Sequence, residues 1–384
     1  MPQHLSIFAI GVATAALVAC TNGGDATAQS SPETAASAED VSFAIEEMGQ
    51  FEEPWAMTFW GEDMLVTELG GRMWRIDGTG RHEVTGLPEV DYGGQGGLGD
   101  VVVGPDGEWI YFSYAEAGPD DTRGAVVARG RLVMGGDGRT AMTDIETIWR
   151  QEPKVTGRGH YSHRIAFSPN GDYLYIASGD RQKMEPAQDI GNTLGTIVRL
   201  DPDGNLVPNP LVGGGEATAQ IWSYGHRNIL GLAFDPEGRL WEVEHGPAGG
   251  DELNLVERGV NYGWPVVSNG DHYDGTEIPD HDTRPELPAP VITWTPVIAP
   301  GGMAFYTGEM FAGWQGDLLI AGLKAEALVR VEFDGESARE AARYPMENRL
   351  REVEIGPDGA IWVLEDQERP GGSGGRLLRL TPGA

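Results

Sequence analysis

A turn of the type Pro-Asp-Gly, followed at once by a short strand carrying an aromatic residue, recurs along this chain and constrains it more than any other feature. It stands at Gly104-Pro105-Asp106-Gly107 before Trp109-Ile110-Tyr111-Phe112, and at Ser168-Pro169-Asn170-Gly171 before Tyr173-Leu174-Tyr175-Ile176. It returns at Asp235-Pro236-Glu237-Gly238 before Leu240-Trp241, and at Gly356-Pro357-Asp358-Gly359 before Ile361-Trp362-Val363-Leu364. Looser copies are Gly61-Glu62-Asp63 before Met64-Leu65-Val66, and Gly316-Asp317 before Leu318-Leu319-Ile320. Proline presets the first central dihedral of such a turn and glycine supplies a positive φ, so the signal has a mechanism.

A second unit follows each first one. It is a strand of alternating apolar and polar residues: Arg72–Ile76, Arg131–Val133, Thr196–Leu200, Glu252–Leu255, Ala327–Val331 and Arg376–Leu380. Six of each, strictly alternating, predict an all-β fold: a six-bladed β-propeller of four-stranded antiparallel blades over residues 41–384. Ring closure should pair an early strand, near Val41 to Ile45, with the last blade. No helical period runs longer than a turn or two. The stretches around 140–163, 180–194, 205–230, 258–303 and 335–350 exceed hairpin length and read as loops, where binding residues usually sit. The 57 Gly and 25 Pro among 384 residues agree with many turns.

Residues 1–19 hold an apolar run from Leu5 to Ala19, too short for a spanning helix and placed as an export signal. It ends on Leu17-Val18-Ala19-Cys20, a lipoprotein-processing pattern, although no Lys or Arg precedes the run. The expectation is a lipoprotein signal peptide over 1–19, lipidation at Cys20, a flexible Ala/Ser/Thr/Gly linker to residue 40, and an exported, periplasmic, membrane-anchored protein. Cys20 is the lone cysteine, so no intrachain disulfide can form. With 59 acids against 27 bases the formal charge is −32, which repels nucleic acid and anionic lipid. The lipid, not the charge, must hold this chain to a membrane.

Several polar residues stand in apolar or Gly-rich contexts. Gln95 lies within Gly93-Gly94-Gln95-Gly96-Gly97. If a strand begins at residue 160, alternation sets His160, Ser162 and Arg164 on one face, and Tyr161, His163 and Ile165 on the other. The run Glu244–Glu252 offers carbonyls and carboxylates to a hard cation. Singly, such a His is more often structural and such a loop more often a turn. Jointly, Arg164, Arg227, Lys324, Arg349 and Arg351 make a cationic set drawn from different blades of an acidic protein. That set points to a multiply anionic ligand at the propeller mouth.

At these residues the sequence resembles the soluble aldose sugar dehydrogenases that use pyrroloquinoline quinone, within the glucose/sorbosone dehydrogenase family. The motifs are Pro54-Trp55-Ala56-Met57, Gly94-Gln95-Gly96-Gly97-Leu98, Ser178-Gly179-Asp180-Arg181 and Trp222–Asn228. They continue with Glu244-His245-Gly246-Pro247, Asn261–Pro265 and Ile298–Tyr306. The resemblance implies His160 as general base, oriented by Asp180, with Arg227 beside them. It implies that Gln95, Arg164, Arg227, Asn228, Tyr273, Leu323, Lys324, Arg349 and Arg351 contact the quinone, whose three carboxylates suit the cationic set. Carbonyls of Gly246 and Pro247 would hold a calcium ion, and Glu252 and Tyr262 a second one. The implied reaction is oxidation of an aldose at C1 to a lactone, with electrons passed to an external acceptor. Relatives often carry Gly where His163 stands; alternation points His163 away from His160's face, into packing between blades. Two other readings stay open, a metal-dependent lactonase-type hydrolase and a non-catalytic binding propeller.

Overall fold

A computed structural model describes residues 41–136, 138–367 and 372–383, all within one compact unit. The expected leader over 1–19, the Cys20 lipidation site and the linker to residue 40 lie outside the described residues. Among the described residues no helix is long and apolar enough to cross a membrane. The helices are short pieces at Glu185–Gln188, Glu216–Gln220 and His281–Thr283.

The rest is strand. Four separate four-stranded antiparallel sheets are built on Ser162–Phe167, Ile229–Phe234, Pro300–Phe305 and Leu350–Ile355 as first strands. A fifth sheet has eight strands and departs from the expected separate blades. It consists of two antiparallel meanders, starting at Pro54–Trp60 and Leu98–Val103. Their outer strands are joined by a short parallel pairing of Val84 with Thr140 and Thr85 with Ala141. The repeated turns each join the first strand of a meander to its second, and their glycines explain why. Gly107, Gly171, Gly238 and Gly359 all take φ between 73° and 82°, which a side chain would strain.

Each meander is apolar on both faces because it is covered on both. Trp241, Val243 and Leu253 of one sheet pack on Met303, Leu318 and Val329 of the next. Tyr175 and Ile197 pack on Ile229 and Leu240, and Leu319 and Leu328 on Val353 and Ile361. Met57 and Val66 close the cycle against Leu364 and Leu377. A fully buried Leu or Phe contributes about 1.5–3 kcal/mol, so these layers replace the disulfides the chain cannot make. The early strand Phe43–Gln50 pairs antiparallel with Arg376–Pro382, as the expected closure requires.

Several stretches read as loops contain strands instead. Thr140–Arg150, Ile221–Tyr224, Ile292–Trp294 and Ser337–Pro345 are outer strands, and Ile229–Phe234 and Pro300–Phe305 are inner ones. Inner strands are buried on both faces, so they show no alternation to read.

Candidate active site

The first strands run side by side, and the segments entering and leaving them meet at one end. There a cavity of about 460 Å³ opens. It is lined by Trp55, Gln95, Tyr161, Ser162, His163, Asn228, His245, Leu323, Arg349, Arg351 and Asp366, among others. Of the sequence-predicted residues, Gln95, Asn228, Leu323, Arg349 and Arg351 line it directly.

His160 is not itself a lining residue; its neighbours Tyr161 and Ser162 are, and the Oε1 of the lining Gln95 accepts the His160 backbone N–H at 2.6 Å. The strand predicted to start at residue 160 begins at Ser162, and the period-two argument fails there. His160, Ser162 and His163 all have left-handed φ, of 47°, 55° and 53°. The pairing with the next strand also slips between Ser162 and Ile165. His160 Nδ1 lies 2.7 Å from Asp180 Oδ1. Trp264 Nε1 donates to Asp180 Oδ2 at 2.8 Å and the Gln182 amide to Oδ1 at 2.8 Å. Burial alone would raise Asp180, but the His160 hydrogen bond and charge, with these donors, hold it below the usual carboxylate range. Burial pulls His160 below its ordinary value against the Asp180 hydrogen bond, and the Arg227 charge adds to that pull.

Arg227 donates to the His245 carbonyl at 2.9 Å and to the Tyr273 hydroxyl at 3.4 Å, its plane over Trp264. Its buried Nε has no hydrogen-bond partner among the described residues. Tyr273 is 77 % exposed and is not among the residues lining the cavity. Lys324 is exposed in the turn after Leu323, its amide bound to the Ile298 carbonyl. Arg349 and Arg351 share Asp366, at 2.8 Å and 2.7 Å, so their guanidiniums are fixed side by side at the wall.

Arg164 leaves the predicted set. It is buried away from the cavity, bonded to Asp100 at 3.2 Å, to Glu352 and to the Leu230 carbonyl, and lies over Trp55. Asp100 and Glu352 of the inner strands pair with its Nη1, while its Nη2 is buried with no hydrogen-bond partner among the described residues. His163, expected between blades, lines the cavity instead.

The candidate metal residues gather beneath. Gly246, Glu252 and Tyr262 line one small cavity of about 10 Å³ with Glu244 and Arg227, whereas Pro247 is not part of it. About 10–15 Å³ holds a single water-sized group. Next to it, ligand atoms of His226, Glu242 and Glu244 lie within 4.8 Å of one another, and all three residues are buried. Glu242 Oε2 has no hydrogen-bond partner among the described residues. Burial, with the neighbouring Glu244 charge, pushes Glu252 well up and Glu242 to about 7. Three buried carboxylates facing one imidazole, with an orphaned oxygen, fit a hard divalent cation.

The cavity suits a flat polyanion equally. Trp55 and Tyr161 give it aromatic walls and Arg349 and Arg351 a cationic one, and about 300–1,000 Å³ is usual for a small-molecule site.

Sequence reasoning missed Asp366, His163, Ser162 and His245 as lining residues. For Asp366 no local signal existed; its role is set by two arginines on another strand.

The chain is similar to known proteins along most of its length. The family described as Glucose / Sorbosone dehydrogenase matches residues 51–379. Aldose sugar dehydrogenase YliI of Escherichia coli K12 is 38% identical over 348 residues, covering 87% of this chain and 91% of that protein. The crystal structure of the soluble aldose sugar dehydrogenase from Escherichia coli in its apo form superposes with a TM-score of 0.81 at 35% identity, over 89% of this chain and 100% of that one. The PQQ-bound form of the aldose sugar dehydrogenase from Streptomyces coelicolor gives 0.70 at 27%, over 89% and 98%.

Proposed function

The chain belongs to the glucose/sorbosone dehydrogenase family, and from that premise we propose that it is a quinoprotein aldose sugar dehydrogenase. Its reaction is oxidation of the C1 hydroxyl of an aldose to a lactone. Pyrroloquinoline quinone is the cofactor, calcium the metal, and an external acceptor takes the electrons. The observation that carries this reading is the His160–Asp180 pair, whose His160 backbone is bonded to Gln95, a lining residue of the cavity that Arg349 and Arg351 also line.

When bound, the quinone supplies the hydride acceptor and the calcium ion a Lewis acid beside it. The chain supplies the rest. Arg349, Arg351, Lys324 and Arg227 hold carboxylates, with Gln95, Asn228, Leu323 and Tyr273 around them. Gly246, Glu252 and Tyr262 would hold calcium. An ionised Asp180 accepts the Nδ1 proton of a neutral His160. That leaves the Nε2 lone pair to take the proton of the sugar hydroxyl, and the Asp180 charge then stabilises the imidazolium. Lowering of the His160 pKa keeps the base unprotonated near neutral pH.

The fold reading is a ring of six blades, supported by the two meanders of the eight-stranded sheet and the closed cycle of packed layers. We further propose export to the periplasm and anchoring through lipidated Cys20, on the apolar leader and Leu17–Cys20 pattern.

Dye reduction by purified protein with an aldose panel, with and without added quinone and calcium, tests the function. Turnover that requires quinone, calcium and sugar together is expected. Lactone hydrolysis without dye reduction would favour the hydrolase, and sugar binding without either activity a binding module.

A further inference from the structure

His163 is three residues from the base and presents the same ring nitrogen with opposite polarity. Its Nδ1 lies 2.8 Å from Ser113 Oγ, and both residues are buried. That hydroxyl already accepts the Asp100 amide at 2.8 Å. It has one hydrogen to place, and among the described residues His163 Nδ1 is its available acceptor. The hydroxyl therefore donates to Nδ1, and the ring proton sits on Nε2. In His160 the carboxylate of Asp180 takes the opposite part and draws the proton to Nδ1.

The ring is clamped as well as polarised. It lies on Trp55, centroids 5.0 Å apart, and meets the edge of Tyr161 at 5.9 Å. Gly99 makes the space: a Cβ there would lie 2.0 Å from His163 Cε1. Gly99 is not a positive-φ residue, so the missing side chain is room for this imidazole and not a backbone need. Among the described residues the ring's one hydrogen bond is that of Nδ1, and the residue lines the cavity. Burial pulls the ring down to about 3, with the Arg164 and Arg181 charges adding, so it stays neutral at working pH.

We propose that His163 is a binding residue for the quinone, donating a fixed neutral Nε2–H to one of its oxygens, and takes no part in proton abstraction. This rests on the quinone reading above.

Calorimetric titration of metal-loaded, quinone-free protein with pyrroloquinoline quinone tests it. His163→Phe keeps a ring on Trp55 and removes the donor; His163→Gln returns an amide N–H near the Nε2 position. Phe should weaken quinone binding about 10-fold or more, and Gln should recover most of it. The aldose KM of quinone-saturated variants should not move. Quinone affinity within about twofold of the parent in a folded Phe variant overturns the proposal, as does a Gln variant as weak as Phe with an intact melt. A change confined to aldose KM assigns the donor to the sugar and overturns it too. If the parent itself binds no quinone, the functional reading fails with it.

Discussion

The carboxylate of Asp180 and the imidazole of His160 meet at 2.7 Å, and the carboxylate's remaining acceptor sites are already occupied. Oδ1 also takes the Gln182 amide, and Oδ2 takes the Trp264 indole at 2.8 Å and the Met184 amide at 3.3 Å. An Asn amide cannot accept at both positions, so Asp180→Asn sets a donor against a donor. Turnover should fall about 10²-fold or more. Asp180 raises the His160 pKa, so its loss should also move the acid limb of the kcat/KM profile to lower pH. An acid limb that moves upward contradicts the assigned pair.

His160→Ala should lose about 10²–10⁴ in turnover, the range for a positioned general base. Its quinone affinity should stay near the parent's, because Arg227, Lys324, Arg349 and Arg351 are untouched. Steady-state dye reduction with a parallel quinone titration separates the two. Normal turnover in this variant removes His160 from the mechanism.

Chelation should abolish dye reduction, and added calcium should restore it. The buried carboxylates of Glu242, Glu244 and Glu252 share the Asn254 amide, two backbone N–H groups and one imidazole, that of His226, which, against burial, Glu242 and Glu244 raise to about 9; one positive charge faces three carboxylates. Melting temperature should therefore fall with activity. Full activity in protein shown calcium-free by elemental analysis contradicts the assignment.

The inner strands carry their own pH response. Burial and neighbouring carboxylates raise Glu354 to about 8; burial raises Glu352 to about 7 despite Arg164. The folded chain thus binds protons there that the unfolded chain, with carboxyls near 4.5, releases. Stability from this source is complete below about pH 4.5 and is lost as pH rises through 7 and 8. Glu354→Gln should melt higher than the parent at pH 8.5 and about equally at pH 5. Identical differences at both pH values exclude this origin.

Cys20→Ala should release the protein to the soluble fraction with its dehydrogenase activity intact. A variant that stays with membranes through a high-salt wash sinks the lipid anchor.

The turns and third strands were legible because their chemistry is local. Gly107 and Gly359 announce positive φ, and Thr196–Leu200 or Arg376–Pro382 shows its pattern in five to seven residues. First strands such as Ile229–Phe234 and Pro300–Phe305 hid, since burial on both faces erases the period. In the site, Gln95, Asn228, Leu323, Arg349 and Arg351 were found at the cavity, on family motifs more than on pattern. Arg164 was misplaced because a lone arginine does not show which carboxylates await it; Asp100 and Glu352 lie on other strands. His163 was misplaced because three left-handed residues break the alternation that aimed it.

The pairing of Phe43–Gln50 with Arg376–Pro382 governs the order of assembly as well as the final contacts. Gln50 bonds the Gly374 carbonyl across 324 residues, so this strand leaves the ribosome long before its partner exists. Until then its edge is unpaired. Phe43 meanwhile lacks Phe311, Trp314 and Tyr344, the rings it meets in the finished ring. Completion of this sheet is thus the step of highest contact order. Because Phe43 stands opposite Pro382, a short turn joining them would make a hairpin of the two strands. A chain so permuted, opened at an exposed loop such as that around Val212, would synthesise the two seam strands one directly after the other.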